Sequence, residues 1–308
     1  MTFKQIQEWK KIGVILTPDR STEGYSHTAV PFGEHINDDL FRLYYSSRDH
    51  NNKSFIRSVV INLSNFSILE RSKENVLFAS EDGYFDDAGC MGVSLLRVGS
   101  DDYLYYIGWN RSVTVPFRNA LGVAVRKNGQ TSFERLFRGP ILDRSPFDPA
   151  FVASCCVLPH EKQFLMYYLS CDGWFKKNGK LDHRYNIKIA TSTDAINWQR
   201  QGKIAIDYRD ESEYAVSVPR IIRNEKNWQM WFSCRGNSYQ IGYAESKDGL
   251  NWTRKDEQLT RFNQIRLDFE TEMLCYPFVI RHRDRLIMLY NGNNYGATGI
   301  AAAILSSD

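Results

Sequence analysis

Two stretches decide the fold: YNIKIATSTDAINW at residues 185–198 and YQIGYAESKDGLNW at 239–252. Each alternates small, β-branched and aromatic residues as a strand does, then leaves through Ser-x-Asp-(Ala or Gly)-x-Asn-Trp. Asp-Gly and Asp-Ala mark a tight turn between strands. Looser copies occur upstream, as ALGVAVRKNGQTSF at 120–133 and FIRSVVINLSNF at 55–66. Internal repetition of this kind sets the architecture and is read before anything else.

Working outward, each copy is preceded by an apolar segment and then an aromatic-rich one. The pairs are AVPF with LFRLYYSSRD, MGVSLL with DYLYYIGWN, SCCVL with QFLMYYLSCD, VPRII with WQMWFSCRG, and YPFVI with RLIMLYNGN. Alignment puts Pro31, Val93, Cys155, Pro219 and Pro277 in register, 62, 62, 64 and 58 residues apart. About sixty residues accommodate four short antiparallel strands and their loops, which is one propeller blade. The expectation is an all-β, five-bladed β-propeller with four-stranded antiparallel blades, residues 1–308 forming a single domain. The last repeat is one strand short, and WKKIGVIL near the N-terminus is placed to close it and remove an exposed edge. Two stacked β-sandwiches are the alternative, but they give no reason for equal intervals.

Composition agrees with a folded chain of ample core: 43% hydrophobic, 24% charged and 14% aromatic over 308 residues. Lys+Arg 39 against Asp+Glu 36 leaves +3, an evenly spread excess that argues against a nucleic-acid partner. No run of apolar residues is long enough for a membrane span, and the N-terminal residues do not read as a secretory signal. The six cysteines, at 90, 155, 156, 171, 234 and 275, show no zinc-finger spacing and no convincing disulfide framework. A cytoplasmic location, no metal and no cofactor are expected. Nucleophile-elbow, zinc-protease, phosphate-loop and dinucleotide motifs are absent.

In a propeller the innermost strand of each blade lines the central channel, so the residues leading into each aligned anchor are the ones to read. They are YSHTAV, YFDDAGCM, SPFDPAFVAS, ESEYAVSV and FETEMLC. Four bring a carboxylate and the first brings His27 instead. Asp87 and Glu213 lie six residues before their anchors and Glu272 five, so these three are expected to converge on one mouth. Converging carboxylates drive their pKa values apart, leaving one protonated as a general acid. Cleaving an acetal needs that acid and a second group that activates water or attacks the sugar. Asp148 is a second-rank candidate, and Asp86, Glu211 and Glu270 read as rim residues. Arg48, Arg220 and Arg235 would bind an anion such as a phosphate or a sugar carboxylate if two or more faced the mouth. Trp109 and Tyr276, ahead of Trp174, Tyr25 and Tyr295, are candidates to stack on sugar rings. His183 lies in the segment KKNGKLDHRYN, read as a long loop able to reach over the mouth.

With its blade pattern, SKDGLNW at 246–252 and LYYSSRD at 43–49, the chain resembles the five-bladed propeller glycosidases around glycoside hydrolase families 43, 32, 68, 117 and 130. The resemblance implies acid and base residues near the channel mouth. In family 43 these are a first-blade Asp, a second-blade Asp and a third-blade Glu. Asp87 matches the second, His27 occupies the first position, and the third blade offers Asp148 in place of Glu. The resulting expectation is an enzyme acting on a glycosidic linkage of an intracellular saccharide or a sugar nucleotide. A glycoside phosphorylase, or a propeller that binds carbohydrate or protein without turnover, is the alternative.

Overall fold

A computed structural model describes residues 6–20, 25–224 and 227–306. Its strands pair into five antiparallel sets of four. The first holds β2 (Ala29–His35), β3 (Leu40–Arg48), β4 (Ser54–Asn62) and β5 (Ile68–Arg71). The second holds β6 (Gly89–Val98), β7 (Asp101–Arg111), β8 (Phe117–Arg126) and β9 (Glu134–Arg135). The third comprises β10 (Phe151–His160), β11 (Gln163–Lys177), β12 (Lys180–Ser192) and β13 (Gln199–Ile206). The fourth comprises β14 (Ala215–Arg223), β15 (Trp228–Arg235), β16 (Tyr239–Ser246) and β17 (Trp252–Arg254). In the fifth, β18 (Cys275–His282), β19 (Arg285–Asn291) and β20 (Ile300–Ser306) are completed by β1 (Lys10–Leu16), which pairs with β20. The N-terminal strand therefore supplies the outer edge of the last set. Each first strand packs on the next, β2 on β6, β6 on β10, β10 on β14 and β14 on β18, and β18 returns to β2.

The residues aligned in the sequence mark a physical feature. Every first strand slips register at the same place, between Ala29 and Phe32, Gly92 and Ser94, Ala153 and Cys155, Ser217 and Arg220, and Cys275 and Phe278. These are β-bulges, and Pro31, Pro219 and Pro277 lie inside them, where a residue without an N–H does least harm to the ladder. Val30, Val218 and Tyr276 stand at φ 52°, 48° and 57°. Their N–H groups are satisfied by a neighbouring set: Val30 by Asn291 Oδ1 (3.0 Å), Val218 by Ser154 Oγ (3.0 Å) and Tyr276 by Ser233 Oγ (2.8 Å).

The Ser-x-Asp-Gly-x-Asn-Trp turn also has a structural task. Asp248 accepts the N–H groups of Leu250 and Asn251, both at 2.8 Å, while Ser246 Oγ accepts that of Gly249. Gly249 sits at φ +72°, a conformation that suits glycine. Its carbonyl accepts the Tyr167 hydroxyl of the preceding set at 2.5 Å, and Ala195 in the sister turn accepts Tyr105 at 2.8 Å. The paired tyrosines of the repeat thus stitch neighbouring sets, and Tyr105, Tyr167, Tyr168 and Tyr243 are fully buried.

Candidate active site

Four carboxylates leading into the first strands are buried, and each is gripped by a cation from the outermost strand of the set it enters. Asp86 pairs with Arg135 of β9 at 2.8 Å, Asp148 with Arg200 of β13 at 2.8 Å, Glu213 with Arg254 of β17 at 2.5 Å, and Glu270 with Lys11 of β1. Each cation also donates to a carbonyl of the same incoming segment: Phe78, Asp143, Asp207 and Ile265. Opposite each cation on the third strand is an alanine, Ala124, Ala190, Ala244 or Ala303, which leaves room for the long side chain. These clasps tie the segment crossing a set to that set's own edge.

Of Asp87, Glu213 and Glu272, expected to share one mouth, Glu213 is held in an ion pair. Its side chain is 3% exposed, Arg254 takes both oxygens, and the Arg209 N–H adds a bond of 2.9 Å. Asp148 is likewise engaged, by Arg200, Ser145 Oγ (2.6 Å) and the Tyr168 hydroxyl (3.0 Å). Asp87 is different. It is half-buried in the turn before β6, and one oxygen accepts the Gly83 N–H at 2.9 Å. Glu272 is exposed; among the described residues only its backbone N–H is bound, by Asn293 Oδ1 at 2.8 Å. Glu211 is also exposed.

The other candidates divide in the same way. Arg220 stacks over Phe278 (4.1 Å) and donates to the Val279 carbonyl (3.1 Å), so it braces the first strand of the next set. Trp109 is half-buried and donates to Ser54 Oγ at 2.7 Å, just where β4 meets β6. Gly89 is required there, since a Cβ would come within 2.3 Å of that hydroxyl. Arg235 and Tyr276 lie on an aromatic arc to which the second to fifth sets contribute, and Arg48 and His27 of the first set are linked to it electrostatically. From Phe117 it runs to Trp174 (5.2 Å), His183 (4.9 Å from Trp174) and Tyr185 (5.0 Å from His183). The Tyr185 hydroxyl hydrogen-bonds to that of Tyr239. Tyr295 follows at 5.9 Å from Tyr239, then Tyr276 at 6.4 Å. Tyr276 and Arg48 interact electrostatically, as do Arg48 and His27. Tyr25 is turned instead against Phe55 (4.7 Å) and under Arg57 (5.1 Å).

Electrostatically this arc is rich in fixed positive charge. Burial, together with Arg48 and Arg20, brings His27 down to about 4, so it is neutral. His183 falls to about 4 through burial and Arg235, despite Asp182. Burial works against the Asp182 carboxylate, but the His183 N–H and the Arg235 guanidinium (2.7 Å) outweigh it and keep it ionised. Arg235 lies between Tyr214 (4.8 Å) and Tyr239 (5.0 Å), its Nε buried without a protein partner. Arg48 donates to Asn52 Oδ1 at 2.8 Å and has no carboxylate partner among the described residues. Such an arrangement can hold an anion beside stacked sugar rings.

Sequence reasoning missed Asp182, Tyr185 and Tyr239. The two tyrosines were visible as the first residue of both diagnostic repeats. The segment around His183 is an ordered hairpin, because Asn178-Gly179 makes a tight turn with both residues at positive φ and pairing is continuous from Gly173 and Arg184 to Lys177 and Lys180. Among the described residues no group of three or more His, Cys, Asp or Glu side chains is placed to hold a metal ion, and no helix is long and apolar enough to cross a membrane.

Comparison with known proteins places these features. Residues 145–301 match the glycoside hydrolase family 130 described as beta-1,4-mannooligosaccharide phosphorylase. An uncharacterized protein of Mycobacterium tuberculosis is 36% identical over 304 residues, covering 97% of this chain and 99% of its own. A putative glycosidase from Bacteroides thetaiotaomicron superposes with TM-score 0.71 at 16% identity over 97% of each chain. A second structure superposes with TM-score 0.72 at 14% identity, over 100% of this chain and 98% of its own. It was reported with the finding that this family of mannoside phosphorylases contains hydrolases targeting β-1,2 mannosidic linkages in Candida mannan. At these identities the two structures establish the shared all-β fold of the propeller glycosidases.

Proposed function

The chain belongs to glycoside hydrolase family 130, and from that premise we propose that it cleaves a mannosidic linkage by phosphorolysis at the arc lined by Arg48, Arg235 and Tyr276. Family membership makes it a glycosidase or a glycosyl-transferring enzyme. The five strand sets are read as five blades of a single domain spanning 1–308, which the return of β18 to β2 and the closure of the last set by β1 support. Six free, buried cysteines support a reducing, intracellular setting.

The observation that carries phosphorolysis is the charge pattern. Hydrolysis by a carboxylate pair needs a second carboxylate as base or nucleophile; the four buried carboxylates nearest the first strands are each neutralised by a cation, which leaves Asp87 and exposed Glu272. Among the described residues Arg48 has no such partner. Inorganic phosphate needs cationic binding and brings its own nucleophilic oxygen. In this reading the bond from C1 to the leaving oxygen breaks as a phosphate oxygen bonds to C1. The proton passes from an acid, for which Asp87 is the first candidate and Glu272 the second, to the leaving oxygen. Neutral His27 donates or accepts hydrogen bonds, and Trp109 and Tyr276 bear on the sugar.

The test is incubation with β-1,2- and β-1,4-linked mannobiose, with and without inorganic phosphate, read by mass spectrometry. Mannose 1-phosphate formed only with phosphate is the expected result. Free mannose released equally without phosphate would make the enzyme a hydrolase, and no turnover on these or on sugar nucleotides would favour a binding propeller.

A further inference from the structure

Where the fold covers an arginine it usually supplies a carboxylate. Arg126 holds Glu34 and Asp102, Arg135 holds Asp86, Arg200 holds Asp148, Arg235 holds Asp182, and Arg254 holds Glu213 and Asp256. Arg48, which the phosphorylase reading gives to phosphate, and Arg220 break the pattern. Arg220 is half-buried on β14, the first strand of the fourth set, and among the described residues no carboxylate pairs with it. Its Nε donates to the Val279 carbonyl at 3.1 Å and its guanidinium lies 4.1 Å over the Phe278 ring, both on β18. It also interacts with the Cys156 thiol of β10. Three consecutive first strands therefore meet at one cation. A guanidinium does not shed its proton in a protein, and a covered charge is costly unless an opposite charge balances it.

We infer that Arg220 binds a monovalent halide, chloride in solution, where β10, β14 and β18 meet. One guanidinium balances one negative charge. Its terminal nitrogens, which have no oxygen acceptor among the described residues, supply the hydrogen bonds. The Cys156 S–H is a weak donor, suited to a large and polarisable anion. The site is separate from the aromatic arc, since Phe278 lies two residues beyond Tyr276 on β18, past the bulge at Pro277. An ion held there ties the third, fourth and fifth sets together by their first strands. Its effect is therefore on stability, and it does not depend on which reaction the arc performs.

The test compares thermal unfolding of the full chain in potassium chloride and in potassium glutamate at equal ionic strength. Wild type is expected to melt higher in chloride, by about 2 °C, with a difference that grows as the logarithm of chloride concentration once the site fills. Arg220→Met keeps an apolar stem over Phe278 and removes the charge, so it should melt alike in both salts. Wild-type crystals soaked in bromide should show an anomalous peak in contact with the guanidinium, which reads the site should the variant fail to fold. Equal midpoints for wild type in the two salts, or a chloride response that survives in Arg220→Met, would overturn the site. So would bromide data without a peak at Arg220. A bromide peak there beside a midpoint indifferent to chloride would mean an adventitious ion only, and that too overturns the inference.

Discussion

Arg254 holds both oxygens of Glu213, at 2.5 and 3.0 Å, and reaches past them to the Asp207 carbonyl at 2.8 Å. Removing one partner of a buried ion pair strands the other charge, which costs about 3–5 kcal/mol. Arg254→Ala is therefore expected to destabilise by about 3 kcal/mol, and Glu213→Gln by somewhat less because it keeps an acceptor. Urea denaturation measures both. A Glu213→Gln protein of unchanged stability that has lost turnover would return Glu213 to the chemistry.

That pair also explains how far the sequence could be read. The repeat was legible because the bulge and the Ser-x-Asp-Gly turn favour the same residues in several sets: Pro31, Pro219 and Pro277 where no N–H is wanted, and Asp194 and Asp248 where a turn needs an acceptor. The acidic residues before the first strands of four sets recur for a structural reason as well, so recurrence alone could not tell Glu213 from Asp87. The difference lies in Arg254, Arg135, Arg200 and Lys11, which stand opposite an alanine across a strand pair. Their partners lie 41, 49, 52 and 259 residues away, the last through the closure by β1. No local pattern reports such a contact.

The stitching of one set to the next by a tyrosine gives a second stability test. Tyr167 is fully buried, and its hydroxyl is bound to the Gly249 carbonyl at 2.5 Å. Tyr167→Phe keeps the ring and leaves that carbonyl to the Trp252 Nε1–H alone (3.0 Å), at a cost of about 0.5–1.5 kcal/mol. Thermal unfolding should show the loss, with catalysis of the folded protein unchanged. An unaltered midpoint would mean that the turn is held by its own Asp248 bonds.

His27 and His183 set the acid side of the stability profile. Each titrates at about 4 in the fold, against an ordinary value near 6.5, so the unfolded chain takes up protons first as pH falls. Their contribution is fully present above pH 6.5 and is lost progressively between about 6.5 and 4. Unfolding midpoints measured from pH 8 to 4.5 should fall over that window, and His183→Gln should flatten the slope. A profile identical to wild type would show that His183 takes up its proton in the fold as readily as in the unfolded chain.

Arg48 is the cation assigned to phosphate. Arg48→Ala removes a charge from a half-buried position whose side-chain partner is Asn52, so folding should be little affected. The expected result is a rise of about tenfold or more in the KM for phosphate, roughly 1.4 kcal/mol or more of binding, with the KM for the mannoside nearly unchanged. An equal rise in both would place Arg48 against the sugar.

Asp87 offers the most direct test of the chemistry. Its one hydrogen bond to the Gly83 N–H survives in Asp87→Asn, because the amide oxygen accepts as the carboxylate did, so the turn before β6 should keep its shape. What the amide cannot do is deliver a proton to the leaving oxygen, and loss of a general acid typically costs about 10²–10⁴ in rate. Turnover of mannobiose should fall by that order while the unfolding midpoint stays within a degree or so, and Glu272→Gln is measured beside it for the same pair of readings. A nitrophenyl mannoside separates the roles, since its leaving group departs without a proton. An acid variant should recover much of its rate on that substrate, and a residue that positions phosphate or sugar should not. If Asp87→Asn turns over mannobiose at the wild-type rate, the proton comes from elsewhere, with Glu272 next in line. Loss on both substrates in either variant would assign that carboxylate to holding the substrate.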